Sequence, residues 1–158
     1  NELAINVDSL FVLKEKNWTY SDISSFSKVS IGAIKGYAYG SDELNEYIKK
    51  NEKNDKAVQL AFGDTALETN IKKLDAGRID VVVESPAVFF YTSNQMKMND
   101  RFKLAGKISN EKKVFIAFSP ANTKSKEYAQ LLSDGIDALR KSGDLKTILQ
   151  KYGVDDWK

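Results

Sequence analysis

The segment Leu74-Asp75-Ala76-Gly77-Arg78-Ile79-Asp80-Val81-Val82-Val83-Glu84-Ser85-Pro86 restricts the fold more than any other. Gly77 suits the left-handed residue that closes a helix, because it meets no Cβ penalty there. Ile79 to Val83 is a short β-branched run, the pattern of a strand covered on both faces of a parallel sheet. Ser85 and Pro86 then read as the cap and first residue of a new helix, with Ala87, Val88, Phe89 and Phe90 continuing inward. Helix, turn, buried strand and helix in so few residues predict an α/β chain. They also place Glu84 and Ser85 at the carboxyl end of a strand, beside a helix N-terminus, where open α/β sheets bind ligands.

The rest of the chain repeats this alternation. Leu10 to Leu13 reads as a short strand, and Trp18 as a lid on the core edge. Val29 to Ile34 reads as a strand running into the Gly-bounded turn Lys35 to Gly40. A helix follows, with Ser41 as cap, Asp42 and Glu43 at its positive end, and Leu44, Tyr47 and Ile48 on one face. Ala57 to Phe62 is a third strand. Thr65 and Glu68 have capping-box spacing, ahead of the stripe Leu67, Ile71 and Leu74. Phe102 to Ile108 is a further strand, and Val114 to Phe118 a buried one. Tyr128, Leu131, Leu132, Ile136 and Leu139 line one C-terminal helix; Leu145, Ile148, Leu149 and Tyr152 line the next, with Gly143 between. The expected parallel strands begin near Val29, Ala57 and Ile79, with Val114 to Phe118 antiparallel to them.

Composition narrows the chemistry. The 158 residues suffice for one domain with a core, and no apolar run approaches the roughly 18 residues of a membrane span. With 24 basic and 22 acidic residues the net charge is +2, too balanced for a nucleic-acid footprint. Cys and His are absent, which removes Cys/His metal sites, thiol nucleophiles and His-based triads. No catalytic residue, metal site or cofactor is expected, and the chain does not read as an enzyme. Arg78 and Asp80 read as a surface pair or a strand-edge cap. A start at Asn1 suggests a processed or cut chain.

Four segments together resemble the type II periplasmic solute-binding proteins of amino acid ABC transporters, solute-binding protein family 3. They are Ile31 to Gly40, Leu74 to Val83 with its Gly-Arg-Ile-Asp, Val114 to Ser119, and Gly143 to Gly153. The resemblance implies a three-layer lobe with a mostly parallel sheet, of periplasmic-binding-protein-like type II fold, plus C-terminal helices. It implies that residues 1–120 are the second lobe, with hinge strands at about 10–13 and 114–118. Residues 121–158 would then be helices that pack on a first lobe, most of which would precede Asn1.

The resemblance also implies a site. In that family a backbone cradle after the first Gly-bearing strand holds the ligand carboxylate; here it would be Gly36, Tyr37, Ala38 and Tyr39. Tyr37 and Ala38 stand where a small hydroxyl residue is common. Successive N–H groups at a helix N-terminus hold an anion without any special side chain. The alternative is that Gly36 and Gly40 simply shape a turn and the tyrosines pack on the lobe. An acidic residue that holds the ligand ammonium falls by count on Ser85, with Glu84 beside it. Either this corner binds ligand, or Ser85 is only a helix cap.

The function implied is extracytoplasmic binding of a small polar solute, an amino acid foremost, for delivery to an ABC transporter permease. The location would be periplasmic, or extracellular and membrane-associated. A ligand-sensing input domain of a membrane receptor is the alternative, and a dehydratase-like enzyme of the same fold a third. The apolar C-terminal helices are expected to favour self-association or domain swapping of the chain.

Overall fold

A computed structural model describes residues 2–152 and 154–158, with only the backbone at Asn99. Gly153, the last residue of the fourth resemblance segment, lies outside the described residues. The chain divides into two compact units. One comprises residues 7–110; the other joins the first six residues to residues 111–158.

The 7–110 unit is built on five strands: β2 (Ser9–Leu13), β3 (Ile31–Ile34), β4 (Val58–Ala61), β5 (Val81–Glu84) and β6 (Phe102–Lys107). β1 (Ala4–Asn6) and β7 (Lys112–Val114) belong to the other unit. The sheet order is β4-β3-β5-β2-β6. β3 runs parallel to β4 and β5, while β2 is antiparallel to both β5 and β6. Four strands therefore share one direction and β2 alone opposes them. Helices α1 (Asp42–Asn51), α2 (Ala66–Asp75) and α3 (Pro86–Gln95) follow β3, β4 and β5.

Side chains alternate across the sheet as the pleat requires. Leu10, Val12, Ile31, Ala33, Val81 and Val83 pack on one face with Leu44 of α1 and Phe26. Phe11, Ile34, Ala61 and Val82 pack on the other with Leu67, Ile71 and Leu74 of α2 and Phe89 of α3. The result is three layers. The Phe11 and Phe89 rings stack at 3.9 Å, tying β2 to α3. Trp18 covers the first cluster, its ring 6.0 Å from Phe26, as expected of a lid.

Local signals explain most boundaries. Gly77 has φ 66°, and the N–H groups of Gly77 and Arg78 donate to Leu74 O and Lys73 O, a complete Schellman closure of α2. α3 begins at Pro86 as expected, but Ala87 and Val88 face solvent, and of the four apolar residues after Pro86 Phe89 alone is fully buried. The capping box at Thr65 is not formed: Thr65 occupies the cap position without a side-chain bond. Of the two readings of Asp80, the strand-edge cap holds and the Arg78 pair does not form. Asp80 accepts from the Ser30 N–H and hydroxyl, each at 2.9 Å, and pairs with Lys16 at 2.5 Å.

In the other unit, β1 and β7 pair antiparallel, Ala4 opposite Val114. The buried strand expected over Val114 to Phe118 is therefore corrected. Strand structure ends at Val114, outside the five-stranded sheet, and Phe115 is 60% exposed. The apolar run had suggested burial, but among the described residues its strand partner is the three-residue β1 alone. α4 (Ser125–Ser142) and α5 (Asp144–Gln150) meet at Gly143, which has φ 85°. Arg140 forks onto Asp156 at 2.7 and 2.9 Å. Ile136 and Leu145 are buried, while Leu131, Leu139 and Ile148 are exposed.

Candidate functional site

The parallel strands β3, β4 and β5 all end at one edge of the sheet, and the helices that follow begin there. The segment after β3 is shaped by its own residues. Tyr37 N–H donates to Ile34 O at 3.2 Å, closing a turn in which Gly36 sits at φ 86°. No atom lies within 4 Å of where a Gly36 Cβ would stand, so this backbone is open to a ligand. Lys35 to Ala38 are exposed, Tyr37 by 59%. Tyr39 turns inward and joins the core below α1.

The four N–H groups of Gly36 to Tyr39 are not equivalent. Those of Tyr37 and Tyr39 are engaged, the latter on Asn45 Oδ1 at 2.9 Å. Those of Gly36 and Ala38 have no protein partner among the described residues. Asn45 also donates to Tyr39 O at 2.7 Å, so one side chain grips the Tyr39 backbone from both sides. Ser41 caps α1 by accepting from the Leu44 N–H at 3.3 Å, with Asp42 and Glu43 in the first turn.

Glu84 and Ser85 end the neighbouring strand β5. Glu84 is 9% exposed, and its carboxylate accepts from the Ser85 N–H at 2.8 Å. Burial pushes the Glu84 carboxyl up, the nearby Asp8 carboxylate adds to this, and the Ser85 N–H opposes it. By strand alternation Glu84 belongs to the face of Val82. Ser85 holds the cap position of α3 in extended backbone, φ −71° and ψ 143°, yet its hydroxyl makes no capping bond. Burial likewise raises the Tyr39 phenol, helped by Glu84 and Asp8, so it stays neutral.

Sequence reasoning missed Asp8, Asn45 and Ser109. Asp8 Oδ2 accepts from the Gly40 N–H at 2.5 Å, and Asp8 N–H donates to Ser109 Oγ at 2.8 Å. These contacts join three distant parts of the chain, and no spacing motif signals them. Among the described residues no group of three metal-ligating side chains occurs, and no helix is long and apolar enough to cross a membrane. A recess of about 580 Å³ lies at the opposite edge, lined by Lys28, Ser30, Lys56, Arg78 and Asp80. It sits at the amino ends of the parallel strands, away from the helix N-termini, and is not the candidate site.

Strand order β4-β3-β5-β2-β6 with a single reversed strand, in three layers, gives the type II periplasmic-binding-protein fold. Solved structures bear this out. An ancestral cationic amino acid solute-binding protein superposes with TM-score 0.66 at 10% identity, over 96% of this chain and 60% of that one. The probable amino-acid ABC transporter extracellular-binding protein ytmK of Bacillus subtilis gives 0.62 at 17% identity, over 96% and 61%. The second substrate-binding domain of Lactococcus lactis GlnP, in an open conformation, gives 0.61 at 18% identity, over 99% and 62%. The chain thus spans about three fifths of the length of these structures. Its sequence matches no protein-family model and no curated protein.

Proposed function

We propose that this chain is the ligand-closing lobe of an extracytoplasmic solute-binding protein that takes a small polar solute, an amino acid foremost, and presents it to an ABC transporter permease. One observation carries the reading. The edge where β3 and β5 end offers open N–H donors at Gly36 and Ala38 beside a helix N-terminus, with the Glu84 carboxyl on the adjacent strand. An amino acid presents a carboxylate and an ammonium together, and the edge offers a partner to each. The solved relatives named for amino-acid binding and transport support the same class. The location follows as periplasmic, or extracellular and membrane-associated. No covalent chemistry is proposed.

In this reading Gly36, Tyr37, Ala38, Tyr39, Glu84 and Ser85 remain the ligand corner, with Tyr39 as a buried support. The lobe is residues 7–110, and Ala4–Asn6 with Lys112–Val114 are its connecting strands, in place of 10–13 and 114–118. The helices of residues 121–158 would cover a first lobe. Exposed Leu131, Leu139 and Ile148 favour self-association where that lobe is absent.

Calorimetry against the standard amino acids tests this. One lobe supplies part of the hydrogen bonds and leaves the ligand in water, where each is worth about 0.5–1.5 kcal/mol. Every 1.4 kcal/mol, roughly, is tenfold in affinity. A two-lobed form should bind one amino acid at micromolar level or better, and this chain at millimolar level or not at all. Glu84→Gln and Ser85→Ala in the two-lobed form should weaken binding about tenfold. No binding by a two-lobed form to any amino acid would defeat the reading, and so would micromolar binding by the 158-residue chain as a monomer.

A further inference from the structure

The segment 36–40 is held from inside and from outside. From inside, the Tyr39 hydroxyl accepts from the Ile34 N–H and Asn45 grips the Tyr39 backbone. These residues run from the end of β3 into the first turns of α1. From outside there is one set of bonds. The Gly40 N–H donates to Asp8 Oδ2 at 2.5 Å, the Asp8 N–H donates to Ser109 Oγ at 2.8 Å, and the Ile108 N–H donates to Asp8 O at 2.8 Å. The packing is as close as the bonding. A Cβ on Gly40 would stand 2.8 Å from Ser109 Cβ and 3.1 Å from Asp8 Oδ2. Glycine is required here by close approach.

Asp8 and Ser109 are 101 positions apart, yet each adjoins a boundary of the lobe: Val7 opens it and Asn110 closes it. We propose that Asp8 and Ser109 are positioning residues. Together they clasp Gly40, fix the directions of the Gly36 and Ala38 N–H groups, and tie the shape of that loop to the two points where the chain enters and leaves the lobe. This rests on the reading of residues 36–40 as a ligand loop. The chemistry is specific. A carboxylate oxygen takes the one N–H that would otherwise swing with the loop, and a hydroxyl takes the N–H of that same aspartate.

Amide hydrogen exchange by NMR on the 158-residue chain, without ligand, tests the clasp independently of any solute. In Asp8→Ala, exchange at the bonded amides of Tyr37, Tyr39 and Gly40 should rise about tenfold or more, while Ile31 to Ile34 and Val81 to Val83 keep wild-type protection. Asp8→Asn keeps an acceptor oxygen in place and should restore most of the protection. Ser109→Ala should fall between. Unchanged exchange at Tyr37, Tyr39 and Gly40 in Asp8→Ala overturns the proposal; so does a rise shared equally by the whole sheet, which would make Asp8 a general stability residue. Should Asp8→Ala not fold, Gly40→Ala opens the same bond from the other side, and wild-type protection of Tyr37 and Tyr39 there overturns the proposal equally. A second arm uses calorimetry on a two-lobed form with the amino acid that its wild type binds. Asp8→Ala should weaken binding about tenfold and Asp8→Asn should restore it; a released loop with unchanged affinity overturns the positioning role. If the wild type binds no amino acid, the solute reading fails, and the exchange arm still decides the clasp.

Discussion

The Tyr39 hydroxyl accepts a hydrogen bond from the Ile34 N–H at 2.9 Å, so the ring folds back under the turn that separates the two residues. Tyr39 is nearly fully buried there. Tyr39→Phe keeps the ring and orphans a buried N–H. It should cost about 1–3 kcal/mol in urea unfolding. An unchanged midpoint would show that the Ile34 N–H finds another acceptor.

Glu84 should make stability depend on pH in the direction opposite to most carboxylates. Burial raises its folded value above the unfolded one, about 4.3. Between the two values the folded state holds the extra proton. Stability therefore falls as pH rises from the unfolded value through the folded one. Glu84→Gln keeps an oxygen for the Ser85 N–H and should remove this slope, leaving the variant more stable than wild type at pH 7. A wild-type slope that persists in Glu84→Gln would assign it to another group.

Asp80 has the ordinary sign. Burial alone would raise its carboxyl, but the Lys16 ammonium and the Ser30 N–H and hydroxyl outweigh it and hold it below the usual range. Its contribution is present above the unfolded value, about 3.9, and is lost as pH falls through the folded one. Asp80→Ala should cost about 1–3 kcal/mol at pH 7. The gap from wild type should narrow in acid. Equal gaps at pH 7 and at acid pH would mean that the charge contributes nothing.

Gly32 lies against Ile79. A Cβ at Gly32 would fall 2.3 Å from Ile79 Cδ1 and 3.2 Å from the Asn70 side chain. Gly32→Ala should overpack the face under α2 and destabilise by about 1–3 kcal/mol. Ile79→Val removes the clashing methyl, so the double variant should be less destabilised than the two single changes summed. Strict additivity in thermal or urea unfolding would show that the strain is relieved elsewhere.

What could be read from the sequence follows a physical divide. Gly77, Pro86 and the β-branched Val81 to Val83 act through their own backbone, so the end of α2, the start of α3 and the place of β5 were legible. Ser41 before Asp42 and Glu43 marked α1 for the same reason. The apolar stretch after Val114 misled because apolarity reports affinity for a cover and does not say which element supplies it. Val114 instead met Ala4 of β1, a strand too short to carry a periodic signal. Glu84 and Ser85 were placed correctly at a strand end, but the Glu84 bond to its own neighbour is a rotamer choice that no pattern encodes. Asp8 is a single polar residue before a strand. Its value comes from Gly40 and Ser109, far along the chain, and it becomes visible only in the fold.

The one reversed strand, β2, has a consequence for how this lobe can be handled and inherited. Because β2 opposes its neighbours, residue 8 starts at the same sheet edge where β6 delivers residue 108, and the two backbones are bonded there. Both ends of segment 7–110 thus emerge side by side. A segment with adjacent ends can be lifted out, grafted into a surface loop of another protein, or permuted through a short bridge, without breaking its five-stranded order. In architectural terms the lobe is a cassette whose two ends share the edge where β3 and β5 finish.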